Sequence, residues 1–211
     1  MGSYIRGGVH RVGQRNIRSL RDMLGLAVFA FGLVASVSCA GGLPDFLLEG
    51  KCADVSLQSN FDARRYAGRW FMTEIIENPY MPMKKCISSK YDVDEREDGF
   101  QVTTSGLDAN DEHKSLQGKI YHTSRFPRGH LHLDFPGVIG SPYKVIETDY
   151  ESYSCVYSCI DWSGYKTVFG FVFSRTPENW GDATKKCASV FEENGVDFNN
   201  FVAVPQSDCD H

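Results

Sequence analysis

Apolar and polar residues alternate in short stretches from Tyr66 to Arg175, each rich in Tyr, Val, Ile, Phe or Thr and set apart by Gly, Pro, Asn or Asp. A period of two sends successive side chains to opposite faces of a strand, so the pattern predicts an antiparallel meander. The clearest stretches are 68–76, 86–93, 100–105, 115–122, 130–135, 143–149, 154–161 and 167–174. Eight strands joined by short turns close into an up-and-down barrel, which removes the sheet edges and leaves an interior for one small ligand. After Arg175 the period changes. Trp180, Ala183, Cys187, Val190 and Phe191 recur at three- and four-residue spacing before Gly195, predicting a helix over 177–194 against the barrel wall. A short strand over 201–204 and a tail bearing Cys209 follow. The expected fold class is all-β: an eight-stranded antiparallel barrel with one C-terminal α-helix.

The first 40 residues break this pattern. Arg6, Arg11, Arg15, Arg18 and Arg21 precede an apolar run from Leu24 to Val37 that ends in Ser38, Cys39 and Ala40. A basic region, a short apolar core and small residues before a cut make a secretory signal. The run has 14 residues, where a membrane-spanning helix needs about 20. We therefore expect a secreted protein, with residues 1–40 as leader and 41–211 as a single domain. The leader holds five of the 22 basic and one of the 27 acidic side chains, so residues 41–211 carry 17 and 26, a net of −9. An acidic chain without a basic stripe is a poor partner for nucleic acid or anionic membranes. Outside the leader six cysteines remain, Cys52, Cys86, Cys155, Cys159, Cys187 and Cys209. In a secreted chain an even number reads as disulfides, and counting alone leaves roughly 15 pairings open.

Three motifs stand in order on the meander: NFDARRYAGRW over 60–70, TDY over 148–150 and FSR over 173–175. Together they resemble the three conserved regions of the lipocalin family. That resemblance gives Gly68, Trp70, Thr148, Asp149, Tyr150 and Arg175 a structural role, with Arg175 stacked across Trp70 at the closed end of the barrel. Further segments, IIENPY over 75–80, KCISSKY over 85–91, VIETDYESYSCVYSCID over 145–161 and FGFVFSRTPENW over 169–180, resemble the crustacyanin subunits, in particular the A-type class. This closer resemblance implies the bridges Cys52–Cys159, Cys86–Cys209 and Cys155–Cys187. It also implies a bound carotenoid, astaxanthin, whose colour is shifted to blue, and pairing with a second lipocalin subunit of the other crustacyanin class.

For the ligand, the resemblance points first to His130 as hydrogen-bond donor to a keto oxygen, with Phe46, Ser89, Tyr91, Tyr121, Phe135 and Phe171 as lining. The residues themselves offer a plainer reading of RGHLHLDF: His130, His132 and Asp134 alternate outward while Leu131, Leu133 and Phe135 point in. His122, His130 and His132 could be imagined as metal ligands, but an HxH pair without a firm third ligand does not make a site, and no metal is expected. No Ser–His–Asp arrangement is evident and every cysteine outside the leader has a proposed partner, so no enzymatic activity is expected. The competing expectation is an apolipoprotein-D-like carrier of a retinoid, sterol, fatty acid or bilin, which shares the three motifs.

Overall fold

The computed structural model describes residues 44–178 and 180–209. The expected leader, residues 1–40, lies outside them. In chain order the elements are β1 (Leu48–Glu49), α1 (Ala63–Tyr66), β2 (Gly68–Ile76), β3 (Lys85–Asp94), β4 (Gly99–Leu107), β5 (His113–His122), β6 (His130–Asp134), β7 (Ser141–Thr148), β8 (Tyr153–Trp162), β9 (Tyr165–Ser174), α2 (Gly181–Glu193) and β10 (Phe201–Ala203). From β2 to β9 each strand pairs antiparallel with the next, and β9 returns to β2 through Phe71↔Ser174, Met72↔Phe173 and Ile75↔Phe171. The sheet is a closed eight-stranded barrel. Among the described residues no helix is long and apolar enough to cross a membrane.

Two short strands cover edges that the closure leaves open. β3 leaves β2 after Phe71↔Ser88, and β10 takes over the same edge from Ile76 to Glu74. On the other side β1 pairs with Lys166 and Tyr165 of β9. The C-terminal tail fills the gap where β2 and β3 part. There the buried Gln206 donates through Nε2 to the carbonyls of Met72 (2.6 Å) and Ile87 (2.9 Å). The Cys86 amide donates to the Pro205 carbonyl at 2.8 Å, and a Cys86–Cys209 disulfide fastens the seam.

The alternation along β8 serves two cores at once. Ser154, Val156 and Ser158 face the barrel interior, while Cys155, Tyr157 and Cys159 face the layer under α2. Because both faces are buried, this strand has six consecutive buried residues, Ser154 to Cys159, rather than a half-exposed alternation. The helix contributes Ala183, Cys187, Val190 and Phe191 to the outer core, where Phe191 packs on Phe201 with ring centroids 4.6 Å apart. α2 begins at Gly181 rather than at Pro177, because residues 176–178 stay bent, with the Thr176 hydroxyl donating to the Glu178 carbonyl at 2.7 Å. It ends as expected: Gly195 takes a left-handed φ of 70°, and the Val196 amide returns to the Phe191 carbonyl at 2.9 Å.

The disulfides are Cys52–Cys159, Cys86–Cys209 and Cys155–Cys187, spanning 107, 123 and 32 residues. They are the pairs that the crustacyanin resemblance implies. Two of them staple β8 to its surroundings, one to the N-terminal segment and one to α2. Loop-closure entropy assigns about 4 kcal/mol to the shortest loop. Replacing Cys155 and Cys187 together by Ala is therefore expected to lower unfolding stability by about that amount, read from the free energy extrapolated to zero urea with a raised m-value for the freed unfolded chain, and with the barrel still formed by far-ultraviolet circular dichroism.

Candidate ligand-binding cavity

One end of the barrel is plugged by a cationic and aromatic stack. Trp70 is fully buried on β2 and donates its indole N–H to the Tyr66 carbonyl at 2.8 Å. The Arg175 guanidinium lies over its ring, 3.7 Å from the centroid. Arg175 also donates to four carbonyls: Tyr150 (3.0 Å), Arg69 (2.8 Å), Arg65 (3.1 Å) and Tyr66 (3.2 Å). Gly68 is required beneath this cation. Its φ is +98°, and a Cβ there would stand 3.2 Å from Arg175 Nη1. Asp62 caps α1, accepting from the amides of Arg64 and Arg65, and its own amide donates to the Tyr150 hydroxyl at 3.1 Å.

The turn from β7 to β8 is held by its own side chains. Thr148 Oγ1 accepts from the Tyr150 amide (2.9 Å) and donates to the Tyr153 carbonyl (2.7 Å). Burial alone would raise the Asp149 carboxyl. Hydrogen bonds from the Ser152 hydroxyl and from the amides of Ser152, Tyr153 and Glu151 outweigh it and hold the group below the usual carboxylate range.

Above the plug lies a tier of hydroxyls. Tyr143 is its hub, within hydrogen-bond distance of Tyr66 (3.1 Å) and Tyr91 (2.9 Å), and Tyr66 also meets Ser154 at 2.9 Å. Burial pushes all three phenols up, Tyr66 to about 12 and the other two well above the ordinary tyrosine value. Higher still is an apolar cavity of about 90 Å³. Its wall takes Phe169, Phe171 and Phe173 from β9, Ile120 and Leu116 from β5, and Met72 from β2, with Ser89 and Thr104 bonded to each other at 2.8 Å. Phe135 lies just beyond β6 and turns its ring inward over Gly118, where a Cβ would come within 2.4 Å of the ring. The mouth is rimmed by Asn78, Tyr80 and Met81 from the loop after β2, and by Val138 and Ile139 from the loop after β6.

The profile of the lipocalin / cytosolic fatty-acid binding protein family matches residues 67–208. The chain belongs to the lipocalin family. The crustacyanin-C1 subunit of Homarus gammarus is 33% identical over 174 residues, 79% of this chain and 94% of that one. The crustacyanin-A1 subunit of the same animal matches at the same identity and coverage. The solved structure of apocrustacyanin C1 superposes with a TM-score of 0.70 over 78% of this chain and 93% of its own. Apolipoprotein D of Mus musculus is 26% identical over 162 residues, 76% of this chain and 85% of that one.

In this lipocalin the expected lining residues divide. Ser89, Tyr91, Phe135 and Phe171 line the cavity. His130, Tyr121 and Phe46 lie outside it. The reason is strand phase: Leu131 and Leu133 point in, so His130 and His132 point out, and His132 pairs in register with Tyr121, ring centroids 5.4 Å apart. His130 stacks on Phe126 at 4.2 Å, and burial, with Lys144, His132 and His122 nearby, holds its imidazole below the usual histidine range. Phe46 sits in the N-terminal segment beside Leu48 and Val202, on the outer wall. The His122 ring is engaged by Asp98 Oδ2 (3.2 Å) and the Phe126 carbonyl (2.8 Å), and among the described residues no three metal-ligating side chains converge.

Sequence reasoning passed over Tyr66, Tyr143, Thr104, Ser158, Phe169 and Phe173. The alternation carried a signal for several of them: in FGFVFSR, three phenylalanines share one face. The buried phenols generate a pH prediction. Tyrosines of the unfolded chain ionise near pH ~10, and the raised folded values mean the native state keeps its protons longer. Stability is therefore complete below pH ~10 and falls as pH rises toward 12, by about 4 kcal/mol per pH unit for three such groups. Urea unfolding between pH 9 and 12 reads this directly, and Tyr143→Phe is expected to make the alkaline slope shallower by about 1.4 kcal/mol per pH unit.

Proposed function

We propose that this lipocalin is a secreted carotenoid carrier, with astaxanthin or a related diketone as ligand, and that it lengthens the absorption wavelength of what it binds. The observation that carries the reading is the match to crustacyanin subunits along nearly their whole length at 33% identity, above the 26% shared with apolipoprotein D. The cavity fits one part of such a ligand. Pockets that enclose a drug-sized molecule run roughly 300–1,000 Å³, several times the space found here, so a ring with the start of its polyene enters and the rest of the chain leaves through the mouth. The emerging polyene then meets Tyr80, Met81 and Ile139 on the rim. A second lipocalin subunit covering that stretch would shield it from water, which is the physical case for a heterodimer.

Within this reading Ser89, Tyr91, Phe135 and Phe171 hold the end ring. A close-fitting wall turns the ring toward the plane of the polyene, and a hydrogen bond to its keto oxygen draws electron density along the chain; both lengthen conjugation. His130 stacks on Phe126 and is not among the residues that line the cavity, so the end ring is assigned to the four residues that are. Secretion follows from the leader, whose cleavage after Ala40 would start the mature chain at Gly41.

The test is to express the full chain in a secreting host, sequence the N-terminus of the product, and titrate it with astaxanthin while recording the visible spectrum and sedimentation. We expect Gly41 as first residue, a bathochromic shift of the bound pigment and an assembly larger than a monomer when a partner subunit is supplied. Phe171→Ala is expected to weaken binding about tenfold or more, and His130→Ala to leave the absorption maximum unchanged. An unshifted band with a monomer would favour the apolipoprotein-D-like reading, with retinol, a sterol or a bilin as the next ligands.

A further inference from the structure

Ser158 stands in β8 directly opposite Phe169 of β9. Its side chain lines the apolar cavity, and the residue is only 2% exposed. Its hydroxyl oxygen has no hydrogen-bond partner. Among the described residues one other buried side-chain atom shares that condition, Gln206 Oε1, and Gln206 is not part of the cavity wall. Of the other hydroxyls on the wall, Ser89 bonds Thr104 and Tyr91 bonds Tyr143, while the Ser141 hydroxyl, also unbonded, is not fully shut off from solvent. Ser158 is thus the hydroxyl of the wall that is both unbonded and shut off from water, set among Phe169, Phe171 and Phe173.

An unpaired buried hydroxyl is costly, and a hydrocarbon filling the cavity would leave that cost in place. A ring carrying one oxygen removes it, provided the oxygen reaches the β8 side of the cavity. We infer that Ser158 is the specificity-determining residue of the cavity, selecting a ligand whose leading end ring bears a hydrogen-bonding oxygen over the same ring without one. This rests on the carotenoid-carrier reading and deepens it by naming the group that reads the end ring. The mechanism is asymmetric. With the hydroxyl present, an oxygenated ring regains inside the barrel the hydrogen bond it surrenders in water; without it, the same oxygen is dehydrated with nothing in return.

Canthaxanthin and β-carotene isolate this effect, because they differ only in the keto oxygens on the end rings. Both would be titrated from detergent micelles into the wild-type protein, Ser158→Ala and Ser141→Ala, the last removing another hydroxyl of the same wall. Binding would be followed by quenching of tryptophan fluorescence. The expected result is a preference of the wild type for canthaxanthin by roughly tenfold or more. Ser158→Ala should bring that ratio to one or below with β-carotene affinity unchanged, and Ser141→Ala should keep it. Ser158→Ala should also raise the melting temperature of the empty protein, since it deletes an unsatisfied group. A preference that survives in Ser158→Ala, or is lost in Ser141→Ala alone, overturns the inference. Equal wild-type binding of the two pigments overturns it as well while leaving the carrier reading intact; failure to bind either pigment removes both.

Discussion

The return of β9 onto β2 is the contact on which the rest of the molecule depends, and it is locked at one end by Arg175 lying across Trp70. The guanidinium follows directly on the last residue of β9, the indole belongs to β2, and the four carbonyls that Arg175 binds come from α1, the start of β2 and the turn after β7. One planar cation with a fork of donors can serve an aromatic face and several carbonyls at once, which a lysine could not. Gly68 leaves the room, and Asp62 and Tyr150 tie the flanking helix and turn to each other. Closing this end makes the opposite end the place where a ligand comes in.

Closure has a consequence for the wall. A barrel strand has one face inward, yet β8 and β9 are covered outside as well, by α2 and the segment around Cys52. The two disulfides of β8 leave through its outward row, so covalent fastening and ligand lining do not compete for the same positions. Polarity inside the barrel is graded in the same economical way. Phenols that bond one another sit next to the plug, a Ser89–Thr104 pair sits in the wall, and aromatic and aliphatic groups fill the remainder. The cavity therefore favours an apolar body and tolerates oxygen only where a partner waits for it.

Much of this was legible in the chain itself. Period-two alternation set out the eight barrel strands, and the three- and four-residue spacing of Ala183, Cys187, Val190 and Phe191 set out the helix, because those periods are imposed by backbone geometry. The motifs around Trp70, Tyr150 and Arg175 identified the closed end. β1 and α1 escaped notice: a two-residue strand and a single helical turn are too short to leave a period, and both exist only because neighbouring strands and the plug receive them.

What the tertiary structure decided was the phase and the partner of each row. Leu131 and Leu133 already marked the inner face of β6 in the alternation, and the fold follows them and leaves His130 outside. On β8 alternation could not choose, since both rows are apolar or small and both are buried; only the position of α2 settles which row sees the cavity. The cavity's size, the hub at Tyr143 and the unbonded hydroxyl of Ser158 depend on how distant strands face each other across the barrel. Sequence determines local periods and turn chemistry because those are properties of neighbouring residues, whereas pairing, enclosure and unsatisfied groups are properties of residues a hundred positions apart, brought together only when the sheet closes.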